Sequence, residues 1–159
     1  MRLAHLPRTC QLVALALVAL LGAPPLGAAQ GANVFAYNTA TTAVTLTTTT
    51  EAVVVTSPVV QAPRGEANVL ILCYAELTTG TGTTAVTARI RRGTAITSTL
   101  VSEENDQIVK AAAGSIEPFV QMVSEEVKAS NLQYSCTLDQ VGASANGSAI
   151  YASILVLAR

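Results

Sequence analysis

Three arginines set close together, Arg89, Arg91 and Arg92, are the densest positive charge in this 159-residue sequence. Guanidinium groups on alternate residues of an extended segment suit the sulfates or carboxylates of an anionic polymer, or the carboxylates of another protein surface. Solvated pairing with Glu76, Glu103 or Glu104 is the plainer use of the same charges. A second stretch, Glu103-Glu104-Asn105-Asp106-Gln107, gathers hard oxygen donors and makes Glu103, Glu104 and Asp106 a calcium candidate, although the acidic spacing of an EF-hand loop is absent. A plain polar turn is the alternative. The run Thr79-Gly80-Thr81-Gly82-Thr83-Thr84 imitates a phosphate-binding glycine loop, but a strand pattern follows it where a helix N-terminus is required, so it reads as a hairpin connection. Asn146-Gly147-Ser148 matches a glycosylation sequon and reads instead as a hairpin turn before the last strand.

Catalysis finds few reagents. The one histidine, His5, lies in an N-terminal segment expected to be removed, which leaves Ser-His-Asp or Cys-His chemistry without its usual base. Paired-carboxylate glycoside hydrolysis could draw on the acids between 103 and 126, yet the chain has no Trp, two Phe and four Tyr to form a sugar platform. The expectation is a non-enzyme with no catalytic residue and no cofactor.

Residues 1–29 have the parts of a secretory signal: Arg2, His5 and Arg8, an apolar run over 12–21, then small residues ending at Ala29. The apolar run is too short for the ~20 residues of a spanning helix. Its removal leaves about 130 residues and seven basic side chains (Arg64, Arg89, Arg91, Arg92, Lys110, Lys128, Arg159) against ten acids, a net charge of −3, in a secreted, extracellular or periplasmic protein. That charge, with 4% aromatic residues, argues against nucleic acid as a partner, and no membrane association is expected after cleavage.

Cys10 leaves with the signal, so Cys73 and Cys136 remain. Over 131–141 apolar Leu132, Tyr134, Cys136 and Leu138 alternate with polar residues, which points Cys136 to a core. Cys73 lies in 69–75, apolar on both faces, so parity does not fix its direction. The two either close a disulfide, as an exported chain permits, or pack as separate thiols.

The elements that must carry these residues are strands. Period-2 patterns predict them at 33–37, 43–47, 52–60, 68–77, 84–92, 98–102, 107–111, 118–124, 131–141 and 148–157, with turn residues between them. Residues 103–113 and 125–130 could each hold a helical turn. In 84–92, Val86, Ala88 and Ile90 face inward while Thr87, Arg89 and Arg91 face out. Many short strands without long helices imply a single antiparallel β-sandwich over 30–159, with the strand rhythm favouring a jelly roll.

The segments 49–59, 69–77, 84–93 and 147–157 together resemble, in strand rhythm, the small jelly rolls of the tumour-necrosis-factor and complement globular-head type, and related viral fibre and decoration domains. The resemblance implies trimers and adhesive or receptor-binding heads. The Gly-X-Y stalk often joined to complement-type heads is absent. Two functions follow. One is an exported structural or adhesive protein working as a homo-oligomer, a trimer by the resemblance, because strands apolar on both faces leave surface to cover. The other is an extracellular glycan or anionic-polymer module using Arg89, Arg91 and Arg92; a protein receptor is a further partner the resemblance implies.

Overall fold

A computed structural model describes residues 34–47, 50–62, 66–79, 83–110, 116–128, 131–141 and 147–159, with backbone only at 79, 83, 84 and 105–110. The proposed signal, with His5 and Cys10, lies outside the described residues. Among the described residues eleven strands follow in order: β1 (Val34–Ala40), β2 (Val44–Thr45), β3 (Ala52–Thr56), β4 (Val60–Gln61), β5 (Ala67–Thr79), β6 (Thr83–Arg92), β7 (Thr99–Lys110), β8 (Ile116–Val127), β9 (Asn131–Leu132), β10 (Tyr134–Val141) and β11 (Gly147–Ala158). The protein is all-β among its described residues, and every pairing is antiparallel.

The strands form two principal sheets. Sheet A runs β1-β11-β5-β8 with β2 beside β11, sheet B runs β3-β10-β6-β7, and β4 pairs with β9. Alternation in the long strands, interrupted by register shifts, builds the core between the sheets. Val69, Ile71, Cys73, Ala75 and Leu77 of β5 point inward beside Ala152, Ile154 and Val156 of β11, while Val86, Ala88 and Ile90 of β6 meet Tyr134, Cys136 and Leu138 of β10. Full burial of each larger aliphatic side chain contributes about 1.5–3 kcal/mol before conformational entropy is subtracted.

Side-chain ties between the sheets join these layers. Cys73 and Cys136 are disulfide-bonded, with Cα atoms 6.0 Å apart, linking an interior strand of sheet A to an interior strand of sheet B. Buried Gln121 of β8 donates to Ser102 Oγ of β7 at 3.2 Å. Glu125 of β8 accepts from the Tyr134 hydroxyl at 2.5 Å and from Arg92 Nη2 at 2.8 Å.

Several sequence expectations need correction. The strands predicted at 98–102 and 107–111 are one strand, β7, so the acidic stretch is extended and not a turn; β8 likewise runs through 125–127 where a helical turn was an option. The predicted strand 52–60 is broken at Ser57-Pro58-Val59, where Pro58 cannot donate to a ladder. The glycine run 79–84 and the Asn146-Gly147 pair do not join hairpins. β5 and β6 lie in opposite sheets, as do β10 and β11. Asn146 lies outside the described residues, and Gly147 already belongs to β11. Among the described residues β6 and β7 form a hairpin through the connection 93–98, where Gly93 takes φ of 128° and its N–H donates to Gln133 O at 2.7 Å.

Candidate functional site

The two outer faces of the sandwich differ in chemistry. On sheet B, Arg89 and Arg91 project outward, as the strand parity required, but they meet acids from neighbouring strands. Arg89 Nε bonds Glu103 Oε2 at 2.5 Å and its Nη1 bonds Asp139 Oδ1 at 3.0 Å, with Glu51 Oε2 3.7 Å away. Arg91 grips Glu51 with two nitrogens, at 2.6 and 2.7 Å, and donates to Ser98 O at 3.0 Å. The Thr137 hydroxyl also donates to Glu51. These groups come from all four strands of the sheet or their immediate flanks: Glu51 just before β3, Thr137 and Asp139 on β10, the arginines on β6 and Glu103 on β7.

Burial alone would raise the Glu51 carboxyl, but hydrogen bonds from Arg91 and Thr137 and the charges of Arg91 and Arg89 outweigh it and hold the carboxyl below its ordinary value. For Arg89, burial opposes the charge, yet bonds to Glu103 and Asp139 push the guanidinium further up; for Arg91 the bond to Glu51 leads and has the same sense. A carboxyl depressed on folding stabilises the fold fully above its unfolded value, near 4.5, and loses that contribution as pH falls through the lowered value. Glu51→Gln is therefore expected to cost about 1–2 kcal/mol near neutrality, a difference that closes below about pH 4. Urea unfolding of both proteins across that range measures it.

Arg92 has the opposite parity and reaches across to Glu125 of sheet A, so the three sequence-selected arginines do not form one open stripe. Of the calcium candidates, Glu103 is paired with Arg89 and the Asp106 side chain lies outside the described residues. Among the described residues, no three His, Cys, Asp or Glu side chains gather as a metal site. Glu51 was not singled out from sequence, and Asp139, Glu125 and Tyr134 were read only as a polar strand position, one of the clustered acids and a core position, with no pairing foreseen. Asp139 was the recoverable one, since it shares the polar parity of the strand that carries Cys136.

Among the described residues, the central part of the outer face of sheet A carries no charged side chain. Its registers align side chains in rows across four strands: Phe35, Leu157, Leu70 and Ser124; then Tyr37, Leu155, Leu72 and Met122; then Thr39, Ser153, Tyr74 and Val120. None of the twelve is charged. Phe35 is 70% exposed, Tyr37 54% and Met122 61%. At one margin the Tyr151 hydroxyl lies 3.4 Å from that of Tyr37, the Tyr74 and Tyr151 rings meet edge to face at 6.0 Å, and Tyr74 donates to Glu76 at 2.9 Å. Burial and the Tyr37 hydroxyl push the Tyr151 phenol up to about 12. At the other margin Arg159, Asn68 and Glu126 supply a polar edge. This face explains why 69–75 was apolar in both parities: one parity fills the core and the other forms this surface.

No protein-family model and no curated protein matches the chain. Among solved structures it is similar to a chain described under "Bacillus endospore appendages form a novel family of disulfide-linked pili", with 19% sequence identity, 84% of this chain and 96% of that chain covered, and a TM-score of 0.38. Among the described residues no helix is long and apolar enough to cross a membrane.

Proposed function

We propose that this chain is an exported, non-enzymatic structural protein that works by association with copies of itself. The observation carrying the reading is the uncharged outer face of sheet A, three rows deep and four strands wide, on a protein whose opposite face is closed by its own ion pairs. Exposed apolar area of this continuity marks interaction surfaces. The Cys73–Cys136 disulfide fits an oxidising compartment outside the cytoplasm, in keeping with removal of residues 1–29 as a signal. Division of the eight longer strands into two four-stranded antiparallel sheets, with the chain passing repeatedly from one to the other, supports the jelly-roll reading. Arg89 and Arg91 serve the sheet in this reading, and not an anionic polymer, because they already pair with Glu51, Glu103 and Asp139.

The test is the exported protein itself, its N terminus read by intact mass and its size by sedimentation velocity over a concentration series. Assembly that grows with concentration is expected. A strict monomer throughout overturns self-association, and an intact N-terminal segment overturns signal cleavage.

A further inference from the structure

We infer that the outer face of sheet A packs against the same face of a second copy about a two-fold axis, joining two sandwiches through their inner sheets into a four-layer stack. The inference rests on the self-association proposed above and names its surface and symmetry.

Three observations select a second copy as the occupant. The first is charge. The three central rows contain no ionisable group except the phenols of Tyr37 and Tyr74, so an acidic or basic partner has nothing to complement. A neutral face can meet itself without placing like charges together, which is the condition a two-fold contact imposes. The second is area. Four strands about 4.8 Å apart, carrying the three rows and the Tyr151, Glu76 and Pro118 row at about 6.8 Å spacing, cover on the order of 500 Å². Two such faces bury about 1,000 Å², the size at which specific protein contacts begin. The third is layout. Aromatic and aliphatic side chains hold the centre, while Glu76 lies at one end and Asn68, Glu126 and Arg159 at the other. A polar rim around an apolar centre is the anatomy of a protein interface.

A sheet face also restricts the symmetry. Sheets stack at about 10 Å with their side chains interdigitated, and each face can be covered once. Packing of this face on the identical face of a second copy is isologous and closes at two copies, in place of the three-fold arrangement that the tumour-necrosis-factor resemblance implies. Met122 and Phe35 are the sensitive positions: they lie on β8 and β1, the two edge strands of the face, and are open to solvent in the single chain. A charge at either one is solvated in the monomer and desolvated in the pair.

The experiment measures association of the exported protein by sedimentation velocity for wild type, Met122→Glu, Phe35→Glu and the double variant, with Leu100→Glu on sheet B as control. Circular dichroism and intact mass confirm that each is folded and disulfide-bonded. Each single change is expected to weaken the dimer at least 10-fold and the double change at least 100-fold, with the control unchanged. Peroxide gives a second route that needs no substitution. Transfer of one oxygen from hydrogen peroxide to the Met122 sulfur yields the sulfoxide and water, and puts a polar group in the same place. The sulfoxide protein is expected to dissociate, and if a variant fails to fold this arm decides. Wild type that assembles while the folded variants and the sulfoxide assemble equally well overturns the inference and leaves self-association standing through another surface. A trimer that dissociates in these variants overturns the two-fold. A wild-type monomer overturns both readings, and a monomer that instead co-floats with neutral phosphatidylcholine vesicles assigns the face to lipid.

Discussion

Replacing Cys73 and Cys136 together by alanine is expected to lower the unfolding free energy by about 4 kcal/mol. The bond closes a loop with a sequence separation of 63, and the chain-entropy relation assigns a loop of that length about 4 kcal/mol. For a domain of this size the loss corresponds to a fall in Tm on the order of 15 °C. The position of the bond makes the effect global. β5 is flanked by β11 and β8 in sheet A, and β10 by β3 and β6 in sheet B, so the sulfurs join the interior of one layer to the interior of the other. Both cysteines are buried. A thiol reagent must await opening of the sandwich, and reduction of the folded protein should be slow and accelerate with denaturant. Calorimetry of the double variant, with dithiothreitol reduction rates for wild type, measures both statements. A loss below about 1 kcal/mol would show that strand pairing and core packing hold the sheets without the cross-link.

The same strands show what was legible in the sequence and what was not. Period-2 alternation over 131–141 placed Tyr134, Cys136 and Leu138 on the core correctly because the other face of β10 is polar. It failed to orient Cys73 because both faces of β5 are apolar, and a two-residue period carries no contrast when each parity has an apolar destination. The acidic stretch at 103–106 was read as a turn from its composition. It is strand because Arg89 lies opposite Glu103 in the neighbouring strand, and a partner 14 residues away is invisible to local propensity. The glycine signals were read as hairpin connections, but a turn residue carries no information on which sheet receives the next strand, and β5 and β6, like β10 and β11, lie in opposite sheets. The arginine stripe had the predicted parity, while its neutralisation depended on Glu51 and Asp139, brought beside it by β3 and β10. The apolar face was visible only in part, through β5 and β11. Phe35, Tyr37, Val120 and Met122 joined it once the registers of β1 and β8 were known.

The second large effect is expected at Tyr134, where two substitutions separate packing from hydrogen bonding. The ring is fully buried in the core and its hydroxyl donates to Glu125, which Arg92 also holds. Tyr134→Ala removes the ring and leaves a cavity, at a cost of about 3–5 kcal/mol. Tyr134→Phe keeps the ring and leaves Glu125 with Arg92, at about 1–2 kcal/mol. The two also differ in alkali. Burial first, and then the bond and charge of Glu125, raise the Tyr134 phenol above its ordinary value of 10.0. A group raised on folding contributes stability that is fully present below its unfolded value and is lost as pH rises through the raised one. Wild type should therefore lose stability steadily above about pH 10, whereas Tyr134→Phe, with no proton to lose there, should show a shallower decline. Tyr151, pushed up to about 12, adds a decline of the same sign, so Tyr151→Phe is the necessary companion. Guanidinium unfolding of the three proteins between pH 8 and 11 apportions the loss. If the Tyr134→Phe slope matches wild type and the Tyr151→Phe slope flattens, the alkaline sensitivity belongs to the tyrosines at the margin of the open face, and the Glu125 tie between the sheets acts through geometry alone.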